Sequence, residues 1–237
     1  MTYIAGFVSP VPTANKDKYK KFAEDSVAMF RGHGVTRIME AWDDQVPEGE
    51  VTDFRRAVDA RDDEVVVFSW QEFADKAAWE VASQAIMHDP AMKAMIDNVP
   101  YDGLRMIYGG FDGLYEFGTK GRPGYVDGSM IPVPTAKKDE YRTVLERQAA
   151  VFAELGATRF VDAWGDEVPD GKLTDFRRAV KATPDETVVF SFIEWPSKEA
   201  RDAAWPKLFT DPRMHEQGTP GDEKRRVFGG FVPLVDA

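Results

Sequence analysis

The heptapeptide TDFRRAV occupies residues 52–58 and recurs, letter for letter, at residues 174–180. Moving along the chain by the same 122 positions (52 to 174) brings Tyr3-Ile-Ala-Gly6 onto Tyr125-Val-Asp-Gly128, and PVPTA (10–14) onto PVPTA (132–136). HGVTRIMEAW (33–42) meets LGATRFVDAW (155–164), VVFS (66–69) meets VVFS (188–191), and the Asp-Pro-x-Met at 89–92 meets that at 211–214. About half of the positions from 3 to 92 are identical in this register, with no gap. The second copy then falls two residues short, because RMIYGGF begins at 105 and RRVFGGF at 225. Similarity at the period of a whole domain implies two copies of one fold rather than a solenoid of short repeats. The expected division is a first repeat at 1–117, a joint in GTKGRPG at 118–124, and a second repeat at 125–237.

Within a copy the pattern predicts a short strand at YIAGFV, then a helix. Tyr19, Phe22, Ala23, Val27 and Phe30 recur at helical spacing, matched by Tyr141, Val144, Leu145, Ala149 and Phe152. Thr13 and Thr135 suit the N-caps, and Gly34 and Gly156 suit a left-handed stop. VTRIMEAW reads as a second strand. TDFRRAV and EVVVFSWQEF read as a hairpin around DARDD, with Phe54/Phe176 and Val58/Val180 toward the core and Asp53 and Arg55 on the other side. A further helix is expected over about 75–87, followed by a turn that Asp-Pro restarts, and LRMIYGGF closes as the last strand. The order β-α-β-(β)-β-α-β is the ferredoxin-like α+β pattern. Its antiparallel sheet carries two helices on one face and leaves the other bare. Two bare faces in one chain can bury each other, and the covalent joint frees that pairing from dependence on concentration.

The motifs VP..K..Y, R..E.W, VP.G..TDFR.AV, VVFSW, DP.M and RM.YGGF resemble the YbaA-like family of bacterial proteins of unknown function, the DUF1428 group. The resemblance covers essentially the whole chain, once per copy. Copy two departs from it at Phe192, where copy one has Trp70, and across HEQGTPGDEKRR (215–226). The family resembles the dimeric α+β barrels, so the resemblance implies two ferredoxin-like units forming an intramolecular dimeric α+β barrel. It brings no accepted reaction and no catalytic residues.

The chain carries 30 basic and 41 acidic side chains, a net charge of −11. Residues 1–118 hold 12 basic against 21 acidic groups, and residues 119–237 hold 18 against 20. Such a surface repels phosphate backbones and anionic lipid, which argues against nucleic-acid or membrane partners. There is no cysteine, hence no disulfide framework and no thiolate site. The start has no basic region and breaks at Pro10 and Pro12, and no apolar run reaches the roughly 18 residues of a span. A cytoplasmic location is the expectation, with the halves paired internally and further oligomerisation open.

Chemistry needed in both halves must recur at the shift. The histidines fail: His33 faces Leu155, His88 faces Thr210, and His215 faces Lys93. No repeated histidine and no cysteine are available to ligate a metal or haem, so no cofactor is expected. The groups that recur are Trp42/Trp164, Glu40/Asp162, Asp53/Asp175, Arg55/Arg177, Arg56/Arg178 and Glu72/Glu194. A carboxylate beside an aromatic wall gains a raised pKa, and an arginine can clamp an anion. On that logic Glu72 and Glu194 are the expected catalytic groups, with Trp42, Asp53, Arg55, Trp164, Asp175 and Arg177 as the ligand-binding set. The same charges on neighbouring strands would equally fix sheet register. Two functions stay open: a small-molecule site for an acidic or carbonyl-bearing metabolite between sheet and helices, or a non-catalytic interaction or stress-related module. P-loop, GxSxG, HExxH and GxGxxG motifs are all absent.

Overall fold

The computed structural model describes residues 1–215 and 218–237. The first repeat supplies strands β1 (Tyr3–Pro12), β2 (Arg37–Gln45), β3 (Glu64–Phe73) and β4 (Ile107–Gly118). Its helices are α1 (Lys16–Gly32), α2 (Phe54–Ala57), α3 (Lys76–Met87) and α4 (Pro90–Ile96). The second repeat supplies β5 (Tyr125–Pro134), β6 (Arg159–Glu167), β7 (Glu186–Trp195) and β8 (Val227–Asp236), with helices α5 (Lys138–Glu154), α6 (Phe176–Ala179) and α7 (Lys198–Thr210). The partner of α4 shrinks to a 3-10 turn at Pro212–Met214. The shortened stretch at 215–226 contains residues 216 and 217, which lie outside the described residues.

All eight strands pair antiparallel and close one barrel in the order β1-β3-β2-β8-β5-β7-β6-β4. The two bare faces meet, as the pattern implies, and the sheet edges also join. β2 pairs with β8 and β4 with β6, so each seam crosses between repeats. Closure removes the open edges that each unit would otherwise present.

Alternation along the strands decides what fills the barrel. Val66, Phe68 and Trp70 of β3 point inward with Met39 and Ala41 of β2 and Ile4 and Val8 of β1. The intervening Val67 and Phe73 pack outward beneath the helices. At the centre Phe68 stacks on Phe190 at 4.7 Å, and Trp70 stacks on Phe192 at 3.9 Å. These rings fit because β1 and β5 present Gly6 and Gly128 to them. A Cβ at Gly6 would lie 2.8 Å from Phe190, and one at Gly128 would lie 2.8 Å from Phe68. The interior is a packed core, as expected for eight strands.

TDFRRAV is not the strand that the hairpin reading expects. In both copies it is a single helical turn, α2 or α6, whose N-cap is Asp53 or Asp175. Asp53 accepts from the backbone N–H of Arg56 at 2.8 Å, and Asp175 from that of Arg178 at 2.8 Å. The turn lays Phe54 and Val58, or Phe176 and Val180, across one mouth of the barrel, where all four are fully buried. The Thr52 hydroxyl donates to the Ala179 carbonyl at 2.7 Å, and Thr174 donates to Ala57 at 2.6 Å. Each repeat's plug is thus bonded to the other's. Other details also differ from the sequence reading. Thr13 and Thr135 open 3-10 turns, and no side chain caps α1 or α5. Gly34 and Gly156 do take positive φ, +92° and +100°, Asp89 caps α4 before its Pro90, and Asp75 caps α3. Among the described residues no helix is long and apolar enough to cross a membrane.

Candidate functional site

The structure distributes the recurring polar residues over three places. Asp53 and Arg55 lie at the plugged mouth, in a shallow depression of about 230 Å³ shared with Glu48, Arg56 and Asp59. Asp175 and Arg177 line the equivalent depression of about 430 Å³, where Lys181 replaces Asp59. Arg55 donates to the carbonyls of Glu64 and Arg61, both at 2.8 Å, and Arg177 to those of Glu186 (3.1 Å) and Thr183 (2.8 Å). One of the two arginines in each copy does meet a carboxylate, but the partner is the capping aspartate of the same turn rather than Glu40/Asp162 or Glu72/Glu194. Arg56 lies 3.2 Å from Asp53, and Arg178 lies 3.3 Å from Asp175. Glu72 stands eight residues of extended strand beyond the Glu64 carbonyl, roughly 26 Å at about 3.3 Å per residue. Trp42 faces outward, under α1, whereas Glu72 faces inward. Trp42, Arg55 and Glu72 therefore do not converge, and neither do Trp164, Arg177 and Glu194.

The second place is the other mouth of the barrel, closed by ions. Arg37 and Glu72 are cross-strand neighbours on β2 and β3, as are Arg159 and Glu194 on β6 and β7. The shortest bonds nevertheless cross between repeats. Arg159 grips Glu72 at 2.7 and 3.0 Å and Glu116 at 2.7 Å, while Arg37 grips Glu194 at 2.6 Å and Asp236 at 2.8 Å. Arg159 and Glu72 are fully buried, and the Trp70 indole also donates to Glu72, at 3.0 Å. Lys120 reaches Glu72 from outside at 2.7 Å. Burial alone would raise the Glu72 pKa, but Arg159 and Lys120 outweigh it and hold the carboxyl down at about 2. Glu194 has Arg37 and, at 3.3 Å, Arg159, but among the described residues no such lysine, and burial pushes it up. A carboxylate held this low inside a closed ion cluster is suited to joining the repeats rather than to moving protons.

The third place lies between sheet and helix on the outer face. Glu40 of β2 projects beneath α1, where the Tyr19 hydroxyl donates to it at 2.7 Å. Burial raises the Glu40 pKa to about 7, against the lowering pull of Tyr19 and Ser69. The residue nonetheless keeps partial exposure. Trp42 lies two residues on along the same face, with Tyr19 at 6.3 Å edge-on, and Tyr101 stands 5.8 Å from Tyr19. Lys16 sits over the Trp42 ring at 5.1 Å. The second repeat repeats the frame: Tyr141 donates to Asp162 at 3.3 Å, Ser191 also bonds it, and Lys138 lies over Trp164 at 5.3 Å. Burial raises Asp162 to about 6, opposed by Ser191, Arg226 and Tyr141. Unlike Glu40, Asp162 is buried. The recurrence of Glu40/Asp162 beside the tryptophans marks this place in the sequence, whereas Tyr19/Tyr141 and Ser69/Ser191 do not figure in the expected site. Both pairs also recur at the 122-residue shift, so the signal was present.

A family profile described as a protein of unknown function, DUF1428, matches residues 2–103 and again 124–224. The chain belongs to the DUF1428 family. Among curated relatives, the uncharacterized protein YbaA of Escherichia coli (strain K12) is 54% identical over 114 residues, which covers 47% of this chain and 97% of YbaA. YbaA of Shigella flexneri matches to the same extent. These DUF1428 relatives are therefore about one repeat long. Solved structures of the same fold include a monooxygenase-like protein of Lactobacillus acidophilus, with TM-score 0.60 and 13% identity, covering 100% of this chain and 96% of that one. Another, from Fusobacterium nucleatum, has TM-score 0.58 and 12% identity, covering 99% and 93%. At such identity the likeness concerns fold alone, and among the described residues no group of three or more His, Cys, Asp or Glu is placed to hold a metal ion.

Proposed function

We propose that this DUF1428 protein binds a small organic molecule between β2, β3 and α1 of its first repeat, with Glu40 as the group that gives or takes a proton. One observation carries the reading: a partly exposed carboxyl, held by Tyr19 at 2.7 Å, whose pKa of about 7 leaves it half ionised near neutrality. A general acid or base works best when its pKa lies near the working pH. Protonated Glu40 can donate to a ligand carbonyl, and ionised Glu40 can accept from a ligand N–H or O–H. An acidic ligand suits the place less well, because Arg55 is bonded to main-chain carbonyls at the plugged mouth.

A non-catalytic interaction module is the second reading, and one feature favours it. On α3 the side chains of Val81 and Met87 are exposed (72% and 78%), and Phe209 of α7, the counterpart of Met87, is exposed at 66%. Thermal stabilisation against a metabolite library separates the two readings, with wild type compared to Glu40→Gln, Tyr19→Phe and Arg55→Ala. Compounds that shift wild type and Arg55→Ala, but neither Glu40→Gln nor Tyr19→Phe, are the expected result. Hits that shift all four proteins equally would remove Glu40 from the site.

A further inference from the structure

Given a ligand at Glu40, the two repeats together indicate what that ligand carries. In the second repeat Arg226 donates to Ser129 at 3.4 Å and pairs with Glu223 at 2.7 Å, and its positive charge acts on both Asp162 and Tyr141. The register of the two last strands puts Met106 of the first repeat at the position of Arg226. That register is anchored by matching bonds: Arg105 joins Asp102 and Glu64 as Arg225 joins Asp222 and Glu186. It also puts Tyr101 where the second repeat has Gly221. The first repeat has thus exchanged a partly buried cation for an aromatic ring and a thioether. Glu40 is bonded by the Tyr19 hydroxyl at 2.7 Å, and among the described residues no cationic side chain lies within ion-pair distance of it.

Rings surround the place. Tyr19 lies 6.3 Å from Trp42, 6.3 Å from Phe22 and 5.8 Å from Tyr101, and Phe22 meets Tyr101 edge-on at 6.3 Å. Aromatic faces attract cations, the partly exposed Glu40 carboxylate supplies the counter-charge, and a thioether makes a soft wall. Lys16 above Trp42 does not account for the difference, since Lys138 above Trp164 matches it. We propose that the first repeat takes a small organic cation, a protonated amine, among Tyr19, Phe22, Trp42 and Tyr101 with its N–H groups on Glu40, where the second repeat supplies its own Arg226.

The test uses three probes of one shape and different charge: phenethylamine, phenethyl alcohol and hydrocinnamate, with trimethylammonium as a compact cation. The readout is the NMR titration of the Glu40 carboxyl in the full chain, with each probe at tens of millimolar. The ammonium probes should lower the Glu40 pKa, and their affinity should fall about tenfold per pH unit below it, since only the carboxylate pairs with them. The alcohol and the carboxylate should do neither, and Glu40→Gln should abolish the amine response. Met106→Arg should supply the cation from within, lowering the Glu40 pKa and removing the amine response. Arg226→Met should raise the Asp162 pKa, which keeps a readout should the first variant fold poorly. Alcohol or carboxylate binding as strongly as amine, in a Glu40-dependent way, overturns the cation and leaves the site standing. If neither the ammonium probes nor Met106→Arg moves the Glu40 titration, the cation is likewise overturned. The site itself falls only if library hits survive Glu40→Gln.

Discussion

Glu40 and Glu72 project from neighbouring strands and titrate in opposite directions, because only one of them has a cation to bond. For Glu40 the folded pKa of about 7 lies above the ordinary value of 4.5. The folded state therefore binds the extra proton between those values, and stability falls as pH rises through that window. Glu40→Gln keeps an acceptor for Tyr19 and removes the charge. It is expected to stabilise the protein by about 3 kcal/mol at about pH 8 and by almost nothing near pH 4, read as a shift in the urea midpoint. Equal effects at both pH values would show that Glu40 is not a raised carboxyl. Glu72 has the opposite sign. Its pKa of about 2 lies below the ordinary 4.5, so its contribution is present above that value and is lost as pH falls toward 2. Arg159→Met takes from Glu72 its bidentate partner and leaves the buried charge to Lys120 at 2.7 Å and Arg37 at 3.7 Å, so it should cost up to about 3 kcal/mol at neutral pH. Arg159→Met combined with Glu72→Leu should recover much of that loss, since an apolar pair needs no partner. A double variant no better than the single one would mean that the ion pair itself, not the stranded charge, sets the cost.

At the scale of elements, TDFRRAV persists because each position has a mechanical task. Thr bonds the other repeat's plug, Asp caps the turn, Phe, Ala and Val fill the mouth, and the two arginines tie nearby carbonyls. Helical signals stand beside the strand signals: Phe54, Ala57 and Val58 stand at i, i+3 and i+4, and Asp53 is a preferred cap. The strand reading weighed Phe54 and Val58 but not Ala57, and four residues are too few for periodicity to decide. The long elements α1 and β3 came through because their patterns run for 17 and 10 residues. Asp53→Ala should cost about 1 kcal/mol, and Asp175→Ala a similar amount. Glycines offer a sharper contrast. Gly6→Ala puts a methyl 2.8 Å from Phe190 in a filled core and should lower Tm markedly, whereas Gly32→Ala meets nothing within 4 Å and should leave Tm unchanged or raise it. Equal tolerance of both would show that the ring stack has room to shift.

At the scale of the molecule, duplication supplies to one chain what a single repeat lacks. One repeat alone would leave β2 and β4 without their seams, and Phe68, Trp70 and Glu72 without partners. The pseudo-symmetry was legible from the 122-residue register, but the crossing of Arg37 and Arg159 to the opposite repeat was not. Their cross-strand neighbours Glu72 and Glu194 lie in the same repeat, and only barrel closure brings the other repeat's glutamates nearer. The same bonds indicate what half the chain should do. Residues 1–123 carry Arg37, Glu72, Glu116 and Lys120, so two copies can repeat each contact that Arg159 makes with Glu72 and Glu116. This fragment is expected to form a homodimer, measured by sedimentation, in keeping with relatives about one repeat long. The axis is the weak point, since Trp70 stacks on Phe192 here but would meet a second Trp70 in that dimer. Trp70→Phe should therefore be tolerated in the fragment as well as in the whole chain. Mixing residues 1–123 with residues 124–237 should give a one-to-one complex at the expense of homodimer, because only that pairing restores the Trp–Phe stack. A fragment that is folded and monomeric would mean that the seams and the ion cluster are dispensable for each repeat.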